Sequence, residues 1–103
     1  TATPQRESTK VLERLGLSEY FEFVLTTREV GKGKEYPDIF DISLERLGAT
    51  KENTVVFEDA LYSIKTLKAN GYRVCGIEDY CESGKEKVKE LSDVYIESYK
   101  ELL

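Results

Sequence analysis

Val55, Val56 and Phe57 run without a break into Glu58 and Asp59. A helical pattern carrying Ile64 and Leu67 follows from about Leu61 to Asn70. Gly71 stops it, and Tyr72 to Ile77 forms a second apolar run. Strand, helix and strand joined by such short connections predict a right-handed βαβ crossover, with the two strands parallel and the helix laid on the sheet. Apolar periodicity extends this order along the chain. Thr3-Pro4 reads as a helix start, with Thr as N-cap and Pro in the first helical position, and Gly16 ends that helix after Val11, Leu12 and Leu15. A short helical turn and a strand near Phe23 to Thr26 follow. Residues 28–38, "REVGKGKEYPD", form a loop, and a helix from about Pro37 to Leu47 stops at Gly48. Beyond Ile77 the pattern predicts a charged helix around Lys85–Leu91, a short strand Val94–Ile96 and a terminal helical turn. The expected fold class is α/β: a Rossmann-like three-layer α/β/α arrangement with a mostly parallel sheet.

Functional groups in such sheets gather at the carboxyl ends of the strands, and Glu58-Asp59 occupies one. Two adjacent carboxylates there repel each other and lose solvent, so a cation is expected beside them. Mg²⁺ suits the place: it prefers oxygen ligands and usually takes one or two carboxylates together with substrate phosphate. The same acids would also serve as ordinary residues of a helix start, where they complement the dipole. A second pair, Glu78-Asp79, follows another apolar strand, and position alone does not separate the two. Thr1, Ala2 and Thr3 offer hydroxyl and backbone N–H groups before a helix, which is either an anion site or a plain N-cap. Lys34, in a glycine-rich loop before a helix, either neutralises a phosphate or an acidic side chain or is simply solvated. The "GKGK" segment fits neither common phosphate loop. Glu35 stands where a Walker loop needs Ser or Thr, and Tyr36 where the dinucleotide fingerprint needs its third glycine. In combination, Thr, Lys and an acidic pair at loops of one sheet make a phosphate-plus-Mg²⁺ constellation.

Bulk composition narrows the remaining classes. With 103 residues the chain makes one small domain, and its net charge of −5 argues against nucleic acid or an anionic membrane as partner. No apolar run is long enough to span a bilayer, and no signal peptide is visible. The absence of histidine removes Ser–His–Asp chemistry from within this sequence. Two cysteines, Cys75 and Cys81, are too few for a disulfide scaffold, and Cys75 in its apolar run suits a reducing, cytoplasmic setting. The sequence contains no methionine and opens on "TATPQRES" without the strand expected before such a turn, as a piece of a longer protein would.

Three segments resemble the haloacid dehalogenase superfamily, in the family's order and over nearly the whole chain. "TATPQRES" is similar to its second motif, a Ser or Thr at a strand end before a helix. "GKEYPDIF" resembles the third, commonly Gly-Lys-Pro-x-Pro-Asp, and "VVFEDALYSIKTLKANGYRVCGI" the fourth, with Glu-Asp after a strand. The nearest look is to β-phosphoglucomutase and related small-molecule phosphatases. The resemblance implies Mg²⁺-dependent phosphoryl transfer on a small phosphorylated metabolite. It places Thr1 on the transferring phosphoryl group with Ala2 and Thr3 assisting, Lys34 between phosphate and nucleophile, and Glu58 and Asp59 on Mg²⁺. Asp59 is then the direct ligand, with Glu58 acting through water. On this reading Glu78-Asp79 lies one βα unit too late and belongs to the loop surface.

Departures from the pattern are Glu35 for a proline, and Ala60 and Ser63 for a common Ser and Gly. The Asp-x-Asp first motif, which supplies the family's nucleophile, has no counterpart here, nor does the cap domain that precedes the second motif. Residues 1–103 are therefore expected to be the C-terminal portion of a catalytic core, inactive alone, with the N-terminal half of the same protein as its missing partner. Two other classes compete: a half-domain completed by a partner segment, and a receiver-type phospho-acceptor domain, against which Lys34 stands because it precedes the acidic pair.

Overall fold

The computed structural model describes residues 1–80 and 82–103, so Cys81 lies outside the described residues. Three parallel strands form the sheet in the order β1 (Val55–Glu58), β2 (Arg73–Ile77), β3 (Val94–Ile96). Val56 stands opposite Val74, Phe57 opposite Cys75, and Gly76 opposite Tyr95. Helix α4 (Leu61–Ala69) connects β1 to β2, and α5 (Lys85–Leu91) connects β2 to β3. Upstream lie α1 (Gln5–Arg14), the single turn α2 (Thr27–Val30) and α3 (Asp38–Leu47). Gly71 leaves α4 with φ +79°, a left-handed conformation that a side chain would strain, which is why the turn into β2 needs only Asn70, Gly71 and Tyr72.

Alternation along the strands separates the two faces. Val56 and Val74 point to the helical side, where Leu44, Ile64, Leu67, Tyr72, Val74 and Val88 make the core. Gly76 belongs to the same face, and a Cβ there would meet Ser92 Oγ at 2.2 Å and Val88 at 3.2 Å, so the chain around α5 packs directly on bare backbone. Tyr72 is buried against the Phe40 ring, with centroids 5.9 Å apart, and its hydroxyl donates to Asp41. Burial, and then the Asp41 carboxylate, push that phenol well above its usual range. Ile64 has no exposed surface. Ile64→Ala, which removes three buried carbons from among these residues, is expected to cost about 2–5 kcal/mol, read from the midpoint of urea unfolding. The opposite face is thinner. Val55, Phe57 and Val94 remain more than two fifths exposed there, and the 3₁₀ turn Tyr99–Leu102 supplies a ring contact between Tyr99 and Phe57 at 5.9 Å.

Two expected details differ. Helix α1 starts at Gln5, because Pro4 keeps an extended ψ of 145° and its carbonyl, not a Thr3 side chain, receives the Ser8 N–H at 3.0 Å. Residues 23–26 form no strand among the described residues, although Leu25 and Thr26 are buried. The Thr1 nitrogen donates to Leu25 O at 2.6 Å and the Thr27 N–H to Thr1 O at 2.9 Å. A ladder needs a run of successive partners, and one residue is too short to be one. Toward β1 the segment faces a groove of about 310 Å³ lined by Phe21, Phe23, Leu25, Ile39, Val56 and Phe57 among others. Thr26 instead closes a capping box with Glu29, which begins α2.

Candidate active site

Glu58 is the last residue of β1, and alternation turns it to the helical side, where it is only 6% exposed. A carboxylate so placed must be paired. Oε2 accepts from Lys34 Nζ at 2.8 Å and from the Ser63 hydroxyl at 2.8 Å, while Oε1 accepts the backbone N–H groups of Asp59 at 3.0 Å and Ala60 at 3.3 Å. Burial alone would push this carboxyl up. The Lys34 ammonium, the Asp59 contact and the Ser63 hydroxyl outweigh it and hold the carboxyl at about 2. Four donors fill its acceptor capacity, so Glu58 as it stands holds Lys34 rather than an ion.

Lys34 reaches Glu58 from the loop between α2 and α3, 24 residues away in sequence. Its neighbour Lys32 turns outward to Asp38, 3.5 Å away. Of the two lysines of "GKGK", Lys34 enters the site, and the Lys34–Glu58 pair stands between two spaces. On one side is the groove described above, which Thr1 also lines. On the other is a cavity of about 420 Å³ with Asp59, Asp79, Ile77, Phe57 and Tyr99 in its wall.

Asp59 shares that second cavity with Lys34, and its carboxyl is raised by contact with Glu58 first, then by burial and by the charges of Glu58 and Asp79. Repulsion of this kind is what a cation would relieve. The donors are hard carboxylate oxygens, which fit Mg²⁺. Among the described residues no three acidic, histidine or cysteine side chains are grouped closely enough to cage a metal by themselves, so further ligands would come from water, substrate or elsewhere.

Of the six residues expected at the site, Thr1, Lys34, Glu58 and Asp59 border these adjoining spaces. Ala2 and Thr3 do not. Thr3 shares an apolar hollow with Ser8, Val11, Leu12, Phe21 and Val24, and its N–H donates to Thr1 Oγ1 at 3.1 Å. Ser63, in the sequence only a departure from the fourth motif, is fully buried and bonded to Glu58. Its place in the first turn of α4, five residues after Glu58, was the available signal. Glu78-Asp79 follows β2 in the loop, as expected, but is not plain surface: the Glu78 side chain is buried and paired to Lys85, and half-buried Asp79 lines the same cavity as Asp59. The cause is parallel register, which brings the carboxyl ends of β1 and β2 side by side.

A parallel sheet with crossover helices, carrying a lysine and a carboxylate pair at a strand end, is a Rossmann-like α/β core. A haloacid dehalogenase-like hydrolase profile matches residues 1–71. The chain belongs to that family. It is 38% identical over 86 residues to a phosphorylated carbohydrates phosphatase of Thermotoga maritima, covering 82% of this chain and 40% of the relative. Fructose-1-phosphate phosphatase YqaB of Escherichia coli is 38% identical over 61 residues, 59% of this chain and 32% of the relative. A Thermotoga maritima crystal structure described as a candidate β-phosphoglucomutase superposes with a TM-score of 0.79 and 33% identity, over 93% of this chain and 45% of that one. The chain thus spans less than half the length of these relatives. No helix among its described residues is long and apolar enough to cross a membrane.

Proposed function

We propose that the polypeptide carrying this chain transfers phosphoryl groups from a small phosphorylated carbohydrate, as a Mg²⁺-dependent phosphatase or phosphomutase. The Lys34–Glu58 pair carries this reading. It fixes an ammonium at the carboxyl end of β1, between a groove bordered by Thr1 and a cavity bordered by Asp59. The named relatives, two phosphatases and a candidate phosphomutase, support the reaction class and the substrate class.

In this scheme the Thr1 hydroxyl donates to a phosphoryl oxygen. Lys34, oriented by Glu58, draws charge from the same group as it develops in the transition state. Asp59 is the direct carboxylate that would hold Mg²⁺, and Glu58, with its acceptor positions filled, acts through Lys34. Bound Mg²⁺ would neutralise phosphoryl oxygens. The nucleophile is a carboxylate supplied from outside residues 1–103. It forms an acyl phosphate as the ester oxygen leaves with a proton, and the phosphoryl group then passes to water or to a second sugar hydroxyl. The unpaired edge of β1 and the apolar groove beside residues 23–26 suit a strand that brings this carboxylate in. That strand and any cap lie outside these residues, which form the C-terminal portion of the core and are inactive alone.

The groove also favours a second reading, a half-domain completed by a partner segment without catalysis. One comparison separates the two: intact mass, and phosphate release from a panel of sugar phosphates with Mg²⁺, for the full polypeptide and for residues 1–103 alone. Release by the full polypeptide only is expected. No release by either, or equal release by the short chain, would overturn the scheme.

A further inference from the structure

Glu78 is a buried carboxylate for which the scheme above has no use. Its side chain is 4% exposed, and it binds Lys85 at the start of α5 and accepts from the Tyr95 hydroxyl at 2.5 Å. Its N–H donates to Ile96 O at 2.9 Å, extending the β2–β3 ladder one residue past β2. One side chain thus ties together the ends of β2, β3 and α5. The connection is held at its far end too: a Cβ on Gly84 would lie 2.5 Å from the Leu61 side chain, so the loop closes directly onto the first residue of α4. Between these anchors, Asp79 stands beside Glu78 in the wall of the Asp59 cavity, near enough for its charge to bear on Asp59; Glu78 borders the same cavity, with its carboxylate already taken up by Lys85 and Tyr95.

We propose that Glu78 is a positioning residue: by gripping Lys85 and Tyr95 it holds Asp79 on the wall of the Asp59 cavity, and through Asp79 it sets that cavity's affinity for a divalent cation. This rests on the Mg²⁺-dependent reading. Asp79 adds negative potential to the cavity that Lys34 and Asp59 also border. The Lys85 ion pair and the N–H bond to Ile96 anchor the backbone at Glu78, the residue before Asp79. A purely structural Glu78 would matter to stability alone.

The two roles separate in a double-mutant cycle read by direct Mn²⁺ binding, using water-proton relaxation, on the full polypeptide. Glu78→Gln and Asp79→Asn are each expected to weaken Mn²⁺ binding about 10-fold. The double variant is expected to be no weaker than Asp79→Asn, because Glu78 acts through Asp79. Turnover of Glu78→Gln should return to near the wild-type value at saturating Mg²⁺. Asp93→Asn breaks a more exposed ion pair with Lys68 at the other end of the sheet, and should lower Tm with no change in Mn²⁺ affinity. Should Glu78→Gln not fold, Tyr95→Phe removes one grip and keeps Lys85, with a smaller loss in the same direction. Additive losses, or wild-type affinity in Asp79→Asn, would overturn the positioning role. Absence of Mn²⁺ binding in the wild type would overturn it together with the metal-dependent scheme.

Discussion

Asp59→Asn in the full polypeptide is expected to lower phosphoryl-transfer turnover by about 10²–10³-fold, the loss typical of removing one charged stabiliser of a transition state. The substitution keeps the shape of the side chain and removes its charge. A neutral amide oxygen is a far weaker ligand for a small, strongly hydrated dication than a carboxylate. The fold should respond in the opposite sense. Asp59 lies against Glu58 and within reach of Asp79, and this crowding is unfavourable to its charge in the absence of a cation. The sign follows from linkage: a carboxyl raised by folding contributes stability at low pH and loses it as pH rises through the folded value. Removing the charge at neutral pH should therefore raise the urea midpoint in EDTA while turnover collapses. Sites that keep destabilising groups for function behave in this way. Turnover within twofold of wild type in Asp59→Asn would remove Asp59 from the metal site. An unchanged or lowered midpoint would mean that Glu58 and Asp79 do not press on it as the geometry implies.

How much of this was legible in the sequence depends on the range of the interaction concerned. Helix α5 and strand β3 fall on the expected residues, because local apolar periodicity and flanking polar residues are enough to define them. The stops at Gly48 and Gly71 were readable for the same reason. Residues 23–26 carried a strand signal that was locally sound. Strand formation also needs a neighbour, and among the described residues only Thr1 offers one. The cap at Thr3 failed by a single dihedral angle, since Pro4 stays extended. At the site, the Lys34–Glu58 pair spans 24 residues; each member was a candidate from its own position, but nothing local joined the two. Ser63 was seen as a departure from that pattern and its hydroxyl was overlooked, because a bond to a residue five positions earlier crosses the strand-to-helix corner. Glu78 was missed for a related reason. Tyr95 and Lys85, 17 and 7 residues away, reach it only once the sheet and α5 are assembled. A motif states which residue types are present, whereas burial decides which of them are held fast.

Lys34→Met should both unfold and disarm the protein, and the two losses can be pulled apart. Methionine keeps the length and apolar stem of lysine but leaves Glu58 as an uncompensated charge beneath the sheet end. Breaking a buried pair in this way typically costs about 3–5 kcal/mol. Glu58→Gln should cost less, since Lys34 keeps some contact with solvent, its side chain being 22% exposed. In Lys34→Met/Glu58→Gln neither position leaves an unpaired buried charge, so most of the stability should return, while turnover stays about 10²–10³-fold down because no ammonium meets the phosphoryl group. Wild-type pH dependence provides an independent check. Glu58 falls from an ordinary 4.5 to about 2 on folding. A carboxyl lowered by folding contributes stability above its unfolded value and loses it as pH falls through the folded value, here between about 4.5 and about 2. The shift corresponds to about 3 kcal/mol. Urea midpoints of the wild type should therefore drop across that window, and those of the double variant should drop less. If the double variant regained turnover along with stability, Lys34 would be a structural counter-ion for Glu58 and would have no part in handling phosphate.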